Sequence, residues 1–170
     1  MVIIWQYGSN MDENRLNSGD RLKGTATFIG LAIKKGYRLS FTHTNKCGVG
    51  TSDILSSNTE DFVIGCLYEI PDNKISKLDE IEGVNSGAYE RTSDLVIKLD
   101  EDLQTTSEQI LVQMYVVVRK EKNPKTDGDN ANHILKGIKE HQMGKDYFDK
   151  VKKIILQNNP QIDRELISYE

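Results

Sequence analysis

Over the first two thirds of the chain, apolar residues come in short runs rather than long helical stripes. Residues 2–7 (VIIWQY) are mostly β-branched and aromatic, which predicts a buried first strand. Gly8 and Ser9 end it, and Asp12 is placed to cap a short helical turn. Residues 22–34 and 36–43 read as strands joined at Gly36, and 62–70 (FVIGCLYEI) as a strong strand. Residues 89–99 and 110–118 are two more, separated by a polar, acidic loop. The stretch KCGVGTSDI is punctuated by glycines, which predicts a bulge or a close approach of two backbones. After the flexible loop 122–130 the period becomes helical, over about 131–142 and 145–157. In the second helix Tyr147, Phe148, Val151 and Ile154 face inward and the lysines form the solvated side. Several strands followed by helices, without βαβ alternation, predict an α+β fold with a curved or closed sheet. Residues 1–157 form a single domain in this reading, and 158–170 a peripheral, partly disordered tail.

One helix carries chemistry. Pro71 and Asp72 open it and Gly83 ends it, so it covers 72–82. With Ile75 at zero on a wheel of about 100° per residue, Leu78 falls near 300°, Ile81 near 240° and Glu82 near 340°. Glu82 thus sits inside the apolar stripe. Glu80, near 140°, faces away as a solvated acid, and Asp79 lies on the border. Two readings of Glu82 follow: a frayed last turn that lets the side chain bend to water, or a partly desolvated carboxylate with a raised pKa, suited to moving protons near neutral pH.

Composition removes several classes. Lys and Arg number 22 against 26 Asp and Glu, a formal charge of −4, so the basic surface that nucleic-acid binding requires is missing. No apolar run approaches the length of a membrane span, and the opening residues lack the form of a secretory signal. Cys47 and Cys66, far apart and in no C-x-x-C pair, read as reduced thiols of a cytoplasmic protein. His43, His133 and His141 have no metal-ligand spacing, so no metal site is predicted. With no G-x-G-x-x-G and no Walker lysine, nucleotide binding is not favoured. The turn YGSN at 7–10, directly after the first strand, can aim several N–H groups at one point and so hold an anion.

In one order along the chain come YGSNM, GYRLSF, LYEIP leading into LDEIEGVNSGAYER, and a late GIKEH…YFDKV. This set resembles the γ-glutamylcyclotransferase family, with its γ-glutamylamine cyclotransferase and AIG2-like relatives, over roughly residues 2–150. The glutathione-specific ChaC-type branch fits less well, since its loop departs from Y-G-S-N. The resemblance implies a small mixed β-barrel with flanking helices and the Y-G-S-N loop at its mouth. It implies conversion of a γ-glutamyl substrate to 5-oxoproline with release of an amino acid or amine, without metal or redox cofactor. By motif, Glu82 corresponds to the proton-transfer glutamate. Tyr7, Gly8 and Ser9, with Ile4, Trp5 and Gln6 before them, match the substrate-binding loop, and Tyr89 matches a tyrosine that lines the pocket. Asn130 stands where relatives often carry a substrate-contacting tyrosine, which puts the identity of the substrate in question more than the type of reaction. The partner expected is a small γ-glutamyl molecule, handled by a monomer or homodimer. The alternatives are a cyclotransferase acting on γ-glutamylamines or γ-glutamyl natural products, and a binding module that kept the pocket but lost turnover.

Overall fold

The first strand, β1 (Val2–Gln6), lies between two strands far from it in sequence, which explains its apolar character on both faces. The computed structural model describes residues 1–170. Beyond β1 its strands are β2 (Thr27–Lys35), β3 (Tyr37–Thr44), β4 (Gly50–Ser56), β5 (Phe62–Ile70), β6 (Tyr89–Leu99) and β7 (Thr105–Val117). Five of them close a barrel in the order β1-β5-β2-β6-β7. Every neighbouring pair is antiparallel except the seam, where β1 runs parallel to β7 with Ile4 opposite Gln113. The expected α+β fold, a small mixed β-barrel with flanking helices, is the fold observed.

Strands β3 and β4 form a separate two-stranded hairpin against the barrel. β4 was not foreseen as a strand. The expected close approach does occur: a Cβ at Gly50 would meet the Pro124 carbonyl group, and Gly50 N–H donates to Lys125 O at 2.8 Å. Residues 22–26, expected at the start of a strand, are instead a turn over 22–24 followed by irregular chain, and β2 begins at Thr27. β7 starts at Thr105, earlier than its apolar run, because the polar residues 105–109 pair with the end of β6 as an exposed ribbon.

The helices are α1 (Glu13–Leu16), α2 (Ile75–Ile81), α3 (Gly128–Glu140) and α4 (Lys145–Asn158). α3 lies almost backbone to backbone on the 3-10 turn Ser9–Met11, because position 137 is glycine: a Cβ there would lie 2.5 Å from Met11 Cβ. Asp12 accepts hydrogen bonds from Asn14 and Arg15 N–H at the start of α1, the cap expected, and pairs with His133 at 2.7 Å and Lys136 at 3.3 Å on α3. On α4, Tyr147, Phe148, Val151 and Ile155 are buried, with Ile154 partly so. The C-terminal tail is tied down rather than disordered. Residues Pro160–Glu165 form a 3-10 helix with Ile162 buried, and Asn132 on α3 bonds to Glu165 O and Ile167 N–H, both at 2.9 Å. No helix is long and apolar enough to cross a membrane.

Candidate active site

The end of β1, the hairpin β3–β4, the loop after α2 and the end of β7 surround a cavity of about 820 Å³. Most of its lining residues are polar or charged. Gln6, Tyr7, Gly8, Ser9, Glu82, Tyr89 and Asn130 all border it. Ile4 and Trp5 do not: both are buried in the barrel, and Trp5 donates its indole N–H to Ala32 O at 3.2 Å. They hold the strand that presents the loop.

Helix α2 ends one residue earlier than expected, and Glu82 is its C-cap. Its backbone stays helical (φ −79°, ψ −3°), and its N–H donates to Leu78 O at 2.9 Å. The side chain therefore keeps the direction the wheel assigned, on the side of the buried Leu78. Gly83 then turns the chain away with φ +68°, which a bulkier residue adopts only with strain. Glu80 is exposed and pairs with Lys77 at 3.4 Å.

The Glu82 carboxylate accepts a hydrogen bond from Asn10 Nδ2 at 3.0 Å, and Asn10 Oδ1 accepts one from Arg21 Nη1 at 3.2 Å. Burial raises the Glu82 pKa to about 7, outweighing the charges of Arg21 and Arg15 and the Asn10 bond, which pull it down. The group is thus poised to take and return a proton near neutral pH.

Three tyrosines stand around it, and their hydroxyl protons are already engaged. Tyr7 donates to Tyr115 O at 2.6 Å, Tyr115 to Asp79 Oδ1 at 2.7 Å, and Tyr89 to Ser52 O at 2.7 Å. Burial raises all three pKa values, with further contributions from Tyr89 at Tyr7, Glu82 at Tyr89 and Asp79 at Tyr115. Their hydroxyls make them fixed walls, and Glu82 is the lining carboxyl whose pKa burial raises toward neutrality. Arg91, on β6, pairs with Asp79 at 2.9 Å. Asn130 spends its Nδ2 on Thr126 Oγ1 at 2.9 Å and Gly50 O at 3.5 Å, so it braces the cavity wall.

The sequence reading missed Arg15 and Arg21, both of which line the cavity. The turns over 17–25 fold Arg21 back toward Asn10, and that stretch carries no periodic signal. Asn10 was visible as the last residue of Y-G-S-N, though not its bond to Glu82.

The fold is that of the γ-glutamyl cyclotransferase-like barrels. Three solved structures illustrate it. A γ-glutamyl cyclotransferase superposes with a TM-score of 0.76 at 23% identity, over 89% of this chain and 86% of the other. An uncharacterized protein from Homo sapiens gives 0.76 at 24% identity over the same shares. YkqA from Bacillus subtilis gives 0.74 at 22% identity, over 91% of this chain and 54% of that one. At these identities the likeness concerns the fold. By sequence, no curated protein matches. Residues 62–151, more than half of the chain, match the AIG2-like family, and the chain belongs to it.

Proposed function

We propose that the protein is a γ-glutamylcyclotransferase that forms 5-oxoproline by internal aminolysis, with Glu82 as general acid and base. The observation that carries this reading is the Glu82 carboxyl at about 7, opening on a polar cavity beside the Tyr7–Ser9 loop. A γ-glutamyl substrate holds its own nucleophile, the α-amine, on the same chain as the γ-carbonyl. Near pH 7 that amine, with a pKa of about 8, is mostly protonated and inert. Ionised Glu82 accepts one proton from it. The amine nitrogen then attacks the γ-carbon, forming the ring C–N bond and a tetrahedral oxyanion. Protonated Glu82 gives its proton to the leaving nitrogen as the original amide C–N bond breaks, and the second proton of the ring nitrogen then passes through Glu82 to the released amine, which departs as an ammonium. The products are 5-oxoproline and a free amino acid or amine, and Glu82 ends as it began.

The tether already supplies most of the proximity, so binding must bend the substrate into a reactive conformer. The N–H groups of the Tyr7–Ser9 loop suit the oxyanion. Donors of that kind are typically worth about 10²–10³ in rate. Gly8 lets the loop sit close to β4, since a Cβ there would meet Ser52.

The test is a panel of γ-glutamyl amino acids and γ-glutamyl amines, read out as 5-oxoproline, on wild type and Glu82→Gln. The expected result is turnover of at least one member by wild type, loss of about 10³-fold or more in the variant, and largely preserved ligand binding. Glu80→Gln is expected within about two-fold of wild type, because Glu80 faces solvent. Wild-type rates in Glu82→Gln overturn the assignment.

A further inference from the structure

Arg15 and Arg21 are the half-buried cations of the cavity lining, whereas Lys46 and Arg119, which also line it, are exposed. Lys34 pairs with Asp94 at 2.6 Å, Arg91 with Asp79 at 2.9 Å, Lys120 with Asp53 at 2.7 Å and Lys136 with Asp12 at 3.3 Å. Arg15 and Arg21 are half-buried in the cavity lining and form no ion pair with any protein carboxylate. Arg21 donates one hydrogen bond, to Asn10, and Arg15 Nε is closed off from water without an acceptor. A second orphaned donor belongs to a residue of the same lining: Gln6 Nε2 is buried without a partner, and Gln6 is only 7% exposed. Unmade bonds of this kind cost about 1–3 kcal/mol each when nothing fills them.

We propose that Arg15 and Arg21 form the seat for the α-carboxylate of an α-amino-acid head group, so that the amine on the same carbon falls against Glu82. The placement follows from connectivity. Arg21 reaches Asn10 at 3.2 Å and Asn10 reaches Glu82 at 3.0 Å, so guanidinium and carboxylate are two hydrogen bonds apart. In an α-amino acid the anionic and cationic groups share one carbon, and sites that hold both must be neighbours. Charge agrees. Two guanidiniums and one ionised carboxylate complement a carboxylate and an ammonium. Burial, and then the charge of Arg15, hold the Arg21 pKa below its usual range, and a bound anion relieves that repulsion. Guanidinium forks also match carboxylates in geometry. The seat leaves the Tyr7–Ser9 amides free for the γ-carbonyl oxygen. It requires an unmodified α-carboxylate on the glutamyl unit whatever the leaving group is. In naming the glutamyl unit the proposal rests on the cyclotransferase reading.

The test compares two rings that differ by the carboxylate, 5-oxoproline and 2-pyrrolidinone, titrated into the full chain by NMR. Wild type is expected to bind 5-oxoproline about 10–100-fold more tightly. Arg15→Gln with Arg21→Gln together are expected to lose most of that preference, and Arg21→Lys to keep part of it. Circular dichroism checks that each variant is folded. Should the double variant not fold, Arg21→Lys and the wild-type preference decide. Equal binding of the two rings by wild type, no binding of either, or a preference undiminished in folded variants overturns the seat. The two readings fail separately. An arginine-dependent preference without 5-oxoproline formation from any γ-glutamyl compound removes the enzyme and keeps the seat. Turnover with no arginine dependence does the reverse.

Discussion

At Glu82, burial and charge pull in opposite directions, and burial wins. The consequence for stability has a definite sign. A carboxyl raised from 4.5 to about 7 on folding makes the native state hold its proton more tightly than the unfolded chain. Its contribution to stability is therefore fully present below pH 4.5 and is lost as pH rises through 7. Glu82→Gln removes this dependence. Urea unfolding is expected to show the variant gaining on wild type between about pH 5 and pH 8, by on the order of 1–3 kcal/mol. Under the proposed mechanism, activity runs the other way. The acceptor of the first proton must be ionised, so kcat/KM of wild type is expected to climb with pH along a limb centred near 7. A limb centred near the ordinary value of 4.5 contradicts the burial of the group.

Among the elements, one side chain ties the turn after β1 to both α1 and α3. Asp12 caps α1 and bonds to His133 and Lys136 on α3. Burial raises its pKa, but hydrogen bonds from His133 and Lys136 outweigh burial and leave it lowered. Its stabilisation is present above the ordinary value of 3.8 and is lost as pH falls below it. Asp12→Ala is expected to cost about 2–4 kcal/mol at pH 7, measured by denaturant unfolding, and much less near pH 3. Legibility in the sequence followed the same elements. The strands with β-branched runs and both long helices were visible because burial and period agree in them. β4 was hidden because its fully buried Asp53 breaks the alternation, the signature a half-buried strand otherwise leaves. Glu82 was legible because a helix wheel converts spacing into direction. The arginines were not, since an irregular run of turns has no period to read. The tail was misjudged because its apolar residues are few; Asn132 and the burial of Ile162 secure it instead.

For the molecule as a whole, the hairpin β3–β4 is the piece least integrated into the barrel, yet it supplies His43, Thr51 and Ser52 to the cavity. It is fastened by Asp53, which accepts from Thr42 at 2.8 Å, Lys120 at 2.7 Å and Val117 N–H at 3.2 Å. Asp53→Ala is expected to destabilise the protein by about 2–4 kcal/mol and to raise KM more than it lowers kcat, measured by thermal unfolding and steady-state kinetics. The seam between β1 and β7 has a consequence in time. Ile4 meets Gln113, and Tyr7 meets the carbonyl of Tyr115, across more than a hundred residues of chain. Contacts of that separation form late, after the helices and local hairpins. During refolding from denaturant, far-UV signal from the helices is expected to return first and competence for ligand later, in step with the docking of the chain's opening strand.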